Sequence, residues 1–519
     1  MLFAVAYTQA PLYTSNQNQY FLHGFAQAGV GFLKDDWLTN THDTTPLFSL
    51  LVAFTLRVLG DERFFYIFYA LLMGVYLFSV LGISEIFWNQ KRHLSLYSVG
   101  STVGESEDEL LKGTNLISTT PISFVQIVLA ILFLQHSAGL RFLLSRTLGT
   151  NWAYLFEDGV ADQRMLGPVF QPSSFGVFLA LSLLLFLRNR PYMAVLCTAL
   201  AASFHPTYLL PAGLLTASYL FILWREGKNL ALLLKICLVA LIAILPIVVV
   251  TGSIFLSSSP EITNEARQIL ITYRIPHHAQ VSWWLDETAV VKVAFLFVAI
   301  FLTRGTRLFH LLLIPGLCAA GLTAVQVLSG SEALALLFPW RISILLVPIS
   351  VTIIIVSLLA RIIQNLRNRN MQQFWIGLSL AMVWGCVMIG GIRFFLDLQR
   401  KQANPEQALY HVVQSNLVPG DTFLIPLKMQ DFRLATGAPI YVDFKSIPYQ
   451  DKEVLEWYRR VLLVDKFYKE GDCSNLANLA EEGITKLVVP YDEIKIQCPE
   501  MRLLFQDQEY HLFVYEDKK

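Results

Sequence analysis

The chain has 519 residues, with 39 Lys+Arg against 39 Asp+Glu, and its pI of about 7.1 leaves no basic footprint for a nucleic acid. Hydrophobic residues make up 55% and charged residues only 15%, with a mean hydropathy of +0.51. That excludes an ordinary soluble domain, in which about a quarter of the residues are charged.

The charge is unevenly spread, because 35 of the 78 charged residues follow Leu396. This predicts an α-helical polytopic membrane protein over residues 1–396, with exported loops at 13–46 and 257–288. A small exported α/β domain follows over 397–519.

In chain order, Met1–Pro11 is apolar but lacks a basic n-region and a cleavage site, and it is too short to cross a hydrocarbon core of about 30 Å. It reads as the stub of a first helix. The polar stretch KDDWLTNTHDTTP, Lys34–Pro46, then carries Asp35, Asp36, Asp43 and His42. Candidate spans follow at Pro46–Leu59, Phe64–Phe87, Pro121–Gln135, Ser173–Leu187, Tyr192–Phe204 and Tyr208–Trp224. Five more lie at Leu230–Phe255, Ala289–Thr303, Leu308–Leu328, Ile342–Leu359 and Phe374–Phe395. With the stub they make roughly ten to twelve helices.

Lys and Arg concentrate in Arg188–Arg190, Trp224–Lys228, Thr303–Arg307 and Ala360–Asn370, which are expected on the cytoplasmic side. The opposite, exported side receives Phe204–Tyr208, Ser257–Thr288, Ser329–Glu332 and the tail. Between Trp88 and Pro172 the parity closes only if one segment is re-entrant, interfacial or miscounted. The stretch Leu140–Phe156 reads as a helix lying on the surface.

In the tail, Asn404–Leu417 reads as a helix with Asn404 as cap and Pro405 at its first position. Strands are expected at Thr422–Pro426, Ala438–Phe444, Lys486–Pro490 and Tyr510–Glu516, with a helix over Asp451–Glu470. The order favours a small sheet with helices on it. Cys473 and Cys498 form a disulfide if the tail is exported, or are two unrelated thiols. Cys197, Cys237, Cys318 and Cys386 lie in apolar runs.

Candidate chemistry gathers on the exported side. Asp35 or Asp36 is a candidate general base or ligand of a divalent metal, and His42 a candidate ligand or proton shuttle; each is otherwise a solvated loop residue or a helix cap. Arg341 begins the Ile342 helix at headgroup depth and suits bidentate phosphate recognition, or it snorkels beside Trp340 in an aromatic belt. Arg274–Glu287 gathers Arg274, His277, His278, Trp283 and Trp284, as a sugar-stacking and polar substrate loop or as an interfacial anchor. His205 precedes Pro206 at a helix end facing the same side. Asp431, Arg433, Asp443 and Lys445 flank the tail strands as substrate readers or surface charges. No phosphate loop, nucleophile elbow or zinc spacing is present.

The stretch Ser15–Phe54 resembles the first extracytoplasmic loop of the GT-C membrane glycosyltransferases. Together with QPSSFGVF, FHPTYLLPA, RIPHHA, PWRIS and DFRLATGAPIYVDFKSIPY, it is more similar to a group of uncharacterised bacterial multi-pass proteins that end in a domain of unknown function. The GT-C resemblance implies transfer of a sugar from a polyprenyl-phosphate donor, at the exported face of a bacterial inner membrane. It also implies an acid just after the first helix, where this chain has Asn16, Gln17, Asn18 and Gln19, and amides cannot act as a base. The alternatives are a non-catalytic relative serving as an envelope scaffold or accessory subunit and, behind it, a lipid or glycan transporter. Transport is disfavoured by the gathering of polar groups at one face.

Overall fold

The computed structural model describes residues 1–100, 122–255, 258–363, 369–491, 498 and 500–516. Among the described residues six helices are long and apolar enough to cross a bilayer: Phe64–Lys91, Pro206–Arg225, Leu230–Ile254, Arg307–Ser329, Glu332–Ala360 and Met371–Gln402. Shorter apolar helices run over Pro46–Leu59, Pro172–Leu187, Pro191–Phe204 and Glu287–Leu302. Each candidate span from the sequence coincides with a helix, but several are too short to cross alone. Residues 101–121, the middle of the stretch whose parity stays open, lie outside the described residues.

Phe124–Gln135 and Ala138–Thr147 meet at 51°. Ser137 causes the break: its backbone is extended and its side chain accepts from Leu140 N at 3.0 Å, capping a new helix. Ala138–Thr147 buries none of its residues and exposes Phe142 and Leu143 beside Arg146. It is shorter than the surface helix expected over Leu140–Phe156, because Gly149, at φ +110°, turns the chain away.

Burial separates the centre of the bundle from its rim. In the most apolar stretch of Glu332–Ala360, 72% is buried, against 17% in Leu230–Ile254, whose Leu234, Leu238, Leu241 and Val249 face outward. An outward leucine row is what a lipid-facing helix requires, since there is no water to avoid. The N-terminal stub, Leu2–Tyr7, packs on the last long helix, where Thr8 Oγ1 donates to Gly390 O at 3.1 Å.

The two ends of the bundle differ in chemistry. At one end three basic loops meet: Arg307 pairs with Glu226 at 2.6 Å and donates to Asn189 at 2.6 Å, and Arg225 lies 3.0 Å from His310. The fourth basic loop falls partly outside the described residues. The other end carries His205, the segment 258–286, the turn before Ile342 and the C-terminal domain.

That domain holds strands β1 (Phe423–Leu424), β2 (Lys486–Pro490), β3 (Met501–Gln506) and β4 (Tyr510–Tyr515) in the order β1-β2-β4-β3. β1 and β2 are parallel and the other pairs antiparallel. The stretch Ala438–Phe444, expected as a strand, makes a single bridge from Ile440 to Phe423. Phe423 N donates to Pro439 O and Tyr441 N to Phe423 O, while Asp36 accepts from Ile440 N and Phe444 N donates to Leu427 O. Helix Asp451–Glu470 forms as expected, capped by Gln450 and ended by Gly471 in the left-handed conformation. Cys473 and Cys498 are joined in a disulfide, Cα to Cα 5.5 Å.

The domain is docked on the bundle end. Helix Pro260–Ile269 lies on Asp451–Glu470, and Asp451 accepts from Ser258 N, Ser258 Oγ and Thr263 Oγ1 at 2.9–3.0 Å. Ala266, Ile269 and Leu270 enter one core with Trp457, Val461 and Val464. At a second seam Gly31 meets Gly437 backbone to backbone, both with positive φ, and Phe32 N donates to Gly437 O at 2.9 Å. A Cβ at Gly31 would strike the Gly437 carbonyl.

Candidate functional site

The residues of Lys34–Pro46 divide among separate tasks. Asp36 is fully buried; one carboxylate oxygen accepts from Leu38 N at 2.8 Å, the other from Ile440 N at 2.9 Å and Arg433 Nε at 2.8 Å. Arg433, itself 1% exposed, also pairs with Asp443 through Nη1. Asp36 is therefore one arm of a buried Asp–Arg–Asp strut between the first loop and the C-terminal domain, with both oxygens engaged. His42 is exposed, and its Nδ1 lies 2.7 Å from Glu453 on the domain's long helix. Asp43 accepts from Thr45 N at 2.8 Å, at the entry to the Pro46 helix. Asp35 is exposed.

Arg341 is held elsewhere, in a turn where Phe338 adopts φ +50° immediately before Pro339 and Arg341 N donates back to Phe338 O at 2.8 Å. This aims the guanidinium, on a residue 9% exposed, across the end of the bundle. Its Nη2 donates to Tyr208 Oη at 3.3 Å, and its carbon lies 4.9 Å from the Tyr208 ring centre. The His205 ring is 5.5 Å from Tyr208 and 5.9 Å from Tyr20 of the first loop. Burial, with Arg341 second, holds His205 well below the ordinary imidazole range.

His278 closes the next side. Its Nδ1 lies 2.7 Å from Ala161 O, and a carbonyl can only accept, so the proton sits on Nδ1 and Nε2 is left as an acceptor. Burial lowers its pKa to about 3, helped by His277, Arg341 and Arg164. The His277 ring centre is 4.1 Å away; burial lowers its pKa too, against the opposing pull of Asp162. Arg274 Nη2 donates to Lys445 O at 2.6 Å, bringing the C-terminal domain over the cluster. The charges of Arg341 and Arg274 both act on the buried Tyr20 phenol. Arg341, Trp340, His205, His277 and His278 thus gather, while Asp35, Asp36 and His42 belong to the domain seam. Trp283 is 63% exposed and points away, whereas Trp284 is turned in.

Unpartnered polar atoms mark this place. Arg341 Nε, Arg274 Nε and Trp340 Nε1 are buried without a hydrogen-bond partner in the protein. Buried polar groups are almost always paired, so these unmade donors call for bound water or a ligand. Among the described residues no carboxylate forms an ion pair with Arg274, Arg341 or Lys445. The divalent metal considered from sequence meets the positive charge of Arg274 and Arg341 in this cluster, with no carboxylate paired to either to offset it. Among the described residues no group of three or more His, Cys, Asp or Glu could hold a metal ion.

Sequence reading passed over Glu157–Arg164. Asp158 pairs with Arg164 at 2.6 Å, Glu157 with Arg141 at 3.2 Å, and Lys292 Nζ donates to Gly159 O at 3.0 Å. Burial raises the Asp158 pKa to about 7 against the pull of Arg164 and Lys292. Val160 N donates to Ser343 Oγ at 2.8 Å, so this network sets the carbonyl that fixes His278. The available signal was two adjacent acids in a stretch otherwise poor in them.

A family model described as a domain of unknown function, DUF6798, matches residues 404–464, a segment that includes Arg433, Asp443 and Lys445. No curated protein matches the sequence. Among solved structures the chain is similar to the crystal structure of ArnT from Cupriavidus metallidurans bound to undecaprenyl phosphate. That likeness has a TM-score of 0.45 and 12% identity, and covers 100% of this chain and 96% of that one.

Proposed function

We propose that this integral membrane protein binds a polyprenyl-phosphate sugar at the exported face, at the bundle end that carries the C-terminal domain, and transfers the sugar to an acceptor hydroxyl. The observation that carries the reading is the pair of guanidinium groups without a carboxylate partner, Arg341 buried and Arg274 half-buried with its Nε enclosed. A buried cation without a counter-ion is unfavourable by several kcal/mol, and a phosphate of matching fork geometry relieves it. The location, at the membrane end of the bundle, suits a phosphate on a lipid stem.

In this reading Arg341 and Arg274 hold the donor phosphate. The acceptor oxygen attacks the anomeric carbon, and the bond from that carbon to the phosphate oxygen breaks with its electron pair leaving on the phosphate. The two guanidiniums stabilise the charge that develops there. His277, neutral near pH 7 and within the field of Asp162, takes the hydroxyl proton. Asp36 has no part in the step, since both its oxygens are taken.

A second reading, a non-catalytic relative that binds the lipid phosphate as an accessory subunit, is favoured by the amides at Asn16–Gln19 and by the commitment of Asp36 to Arg433. Binding of farnesyl phosphate to the protein in nanodiscs, together with envelope glycan and lipid-linked sugar profiles of a deletion strain, separates the two. Transfer predicts that Arg341→Met weakens binding by about tenfold or more, and that His277→Ala binds normally yet fails to restore the profile. Restoration by His277→Ala removes it from the mechanism, and an unchanged deletion profile leaves the accessory reading.

A further inference from the structure

The guanidiniums of Arg274 and Arg341 belong to the bundle, but the segment that meets Arg274 belongs to the C-terminal domain. Arg274 Nη2 is fixed on the carbonyl of Lys445 itself, at 2.6 Å, and the Arg274 guanidinium lies 5.4 Å from the Phe444 ring centre. Gln19 of the first loop reaches the same segment through Ile447 O at 3.4 Å, and Tyr449 acts electrostatically on Tyr20. Ser446, next to Lys445, is 1% exposed, and its N donates to Asp443. A strand of domain backbone thus lies across the place where Tyr20, Arg274 and His277 meet.

We infer that Lys445 is a third cation of the phosphate site, so that the C-terminal domain completes the site rather than hanging beside it. This rests on the reading of the cluster as a phosphate site. The charged and titratable groups that act on Lys445 are few. Arg274 and His277 face it from the bundle, and Asp443 lies on its own segment with its carboxylate engaged by Arg433 and Ser446 N. Burial and Arg274 bring the ammonium pKa down to about 8, so in the free protein it is charged at pH 7 and loses its proton by pH 9. An anion placed between Lys445 and Arg274 reverses that balance, and binding must then take up a proton.

The test uses the full-length protein in nanodiscs, titrated calorimetrically with farnesyl phosphate at pH 7 and pH 9 in two buffers of different ionisation enthalpy. Between pH 7 and pH 9 the probe only gains negative charge, so a loss of affinity over that interval belongs to the protein. The wild type is expected to take up close to one proton at pH 9 and to bind about tenfold more weakly there than at pH 7. Lys445→Arg, always charged, should bind no more weakly at pH 9 than at pH 7 and take up no proton at pH 9. Lys445→Met should lose about tenfold at pH 7 and show no further loss at pH 9. A Lys445→Arg protein that keeps the wild-type pH slope, or a folded Lys445→Met protein with wild-type affinity, overturns the inference and leaves the phosphate site standing. A folded wild-type protein that does not bind the probe at either pH overturns both. Should Lys445→Met fail to fold, Lys445→Arg alone decides.

Discussion

Two clusters of buried charge lie where the C-terminal domain meets the bundle, and they are built in opposite ways. In the strut one arginine, Arg433, sits between two carboxylates, Asp36 and Asp443, and their remaining acceptor sites are filled by Leu38 N, Ile440 N and Ser446 N. In the other, Arg274 and Arg341 have no carboxylate and each leaves Nε without a partner. A closed set of charges joins two pieces of protein, whereas an open set of one sign is poised for something outside the chain.

The largest effect expected from that contrast is on the strut. Arg433→Met leaves two buried carboxylates facing one another, and breaking a buried pair by removing one partner costs about 3–5 kcal/mol. Thermal unfolding of the purified protein in detergent should show the loss, and proteolysis should begin at the domain seam. Adding Asp36→Asn and Asp443→Asn to that variant removes the stranded charge and should recover part of the stability. A variant as stable as the wild type would mean that the strut joins nothing.

An effect of intermediate size tests the open cluster through His278. Its folded pKa of about 3 lies below the ordinary value of about 6.5, so the neutral ring contributes stability that is complete above pH 6.5 and is lost as pH falls towards 3. At pH 5 the wild type should have lost about 2 kcal/mol of this contribution. His278→Gln can still donate to Ala161 O but does not titrate. Its melting temperature should fall less than that of the wild type between pH 7 and pH 5, and parallel curves would place His278 in water.

How much of this was legible in the sequence depends on range. The helices were, because each is a local run of apolar residues. Arg341 could be placed because it stands directly before one, and the basic loops because their charges are neighbours. The strut was not legible. Asp36 and Arg433 are 397 positions apart, and nothing near Asp36 distinguishes a strut from a catalytic acid. Ala438–Phe444 misled for a related reason: its β-branched and aromatic residues favour a strand, but beyond one bridge to Phe423 the distant Asp36 takes Ile440 N. Cys473 and Cys498, 25 residues apart, were left as either a disulfide or free thiols, and only the fold brings their Cα atoms within bridging distance.

The smallest effect on stability belongs to Arg341→Met, and it separates the two clusters most directly. The side chain gives up a hydrogen bond and a cation–π contact with Tyr208, together about 1–2 kcal/mol, and also the desolvation penalty of a charge that has no counter-ion. The two largely cancel, so without ligand its melting temperature should lie within a few degrees of the wild type, unlike that of Arg433→Met. With farnesyl phosphate present the order reverses, because a ligand bound only by the folded state raises the melting temperature with concentration. The wild type and Arg433→Met should respond at the same concentrations, and Arg341→Met only at concentrations about tenfold higher or more. If Arg341→Met unfolds as readily as Arg433→Met without ligand, Arg341 is part of the framework, and the open cluster is a second strut whose counter-charge comes from elsewhere in the protein.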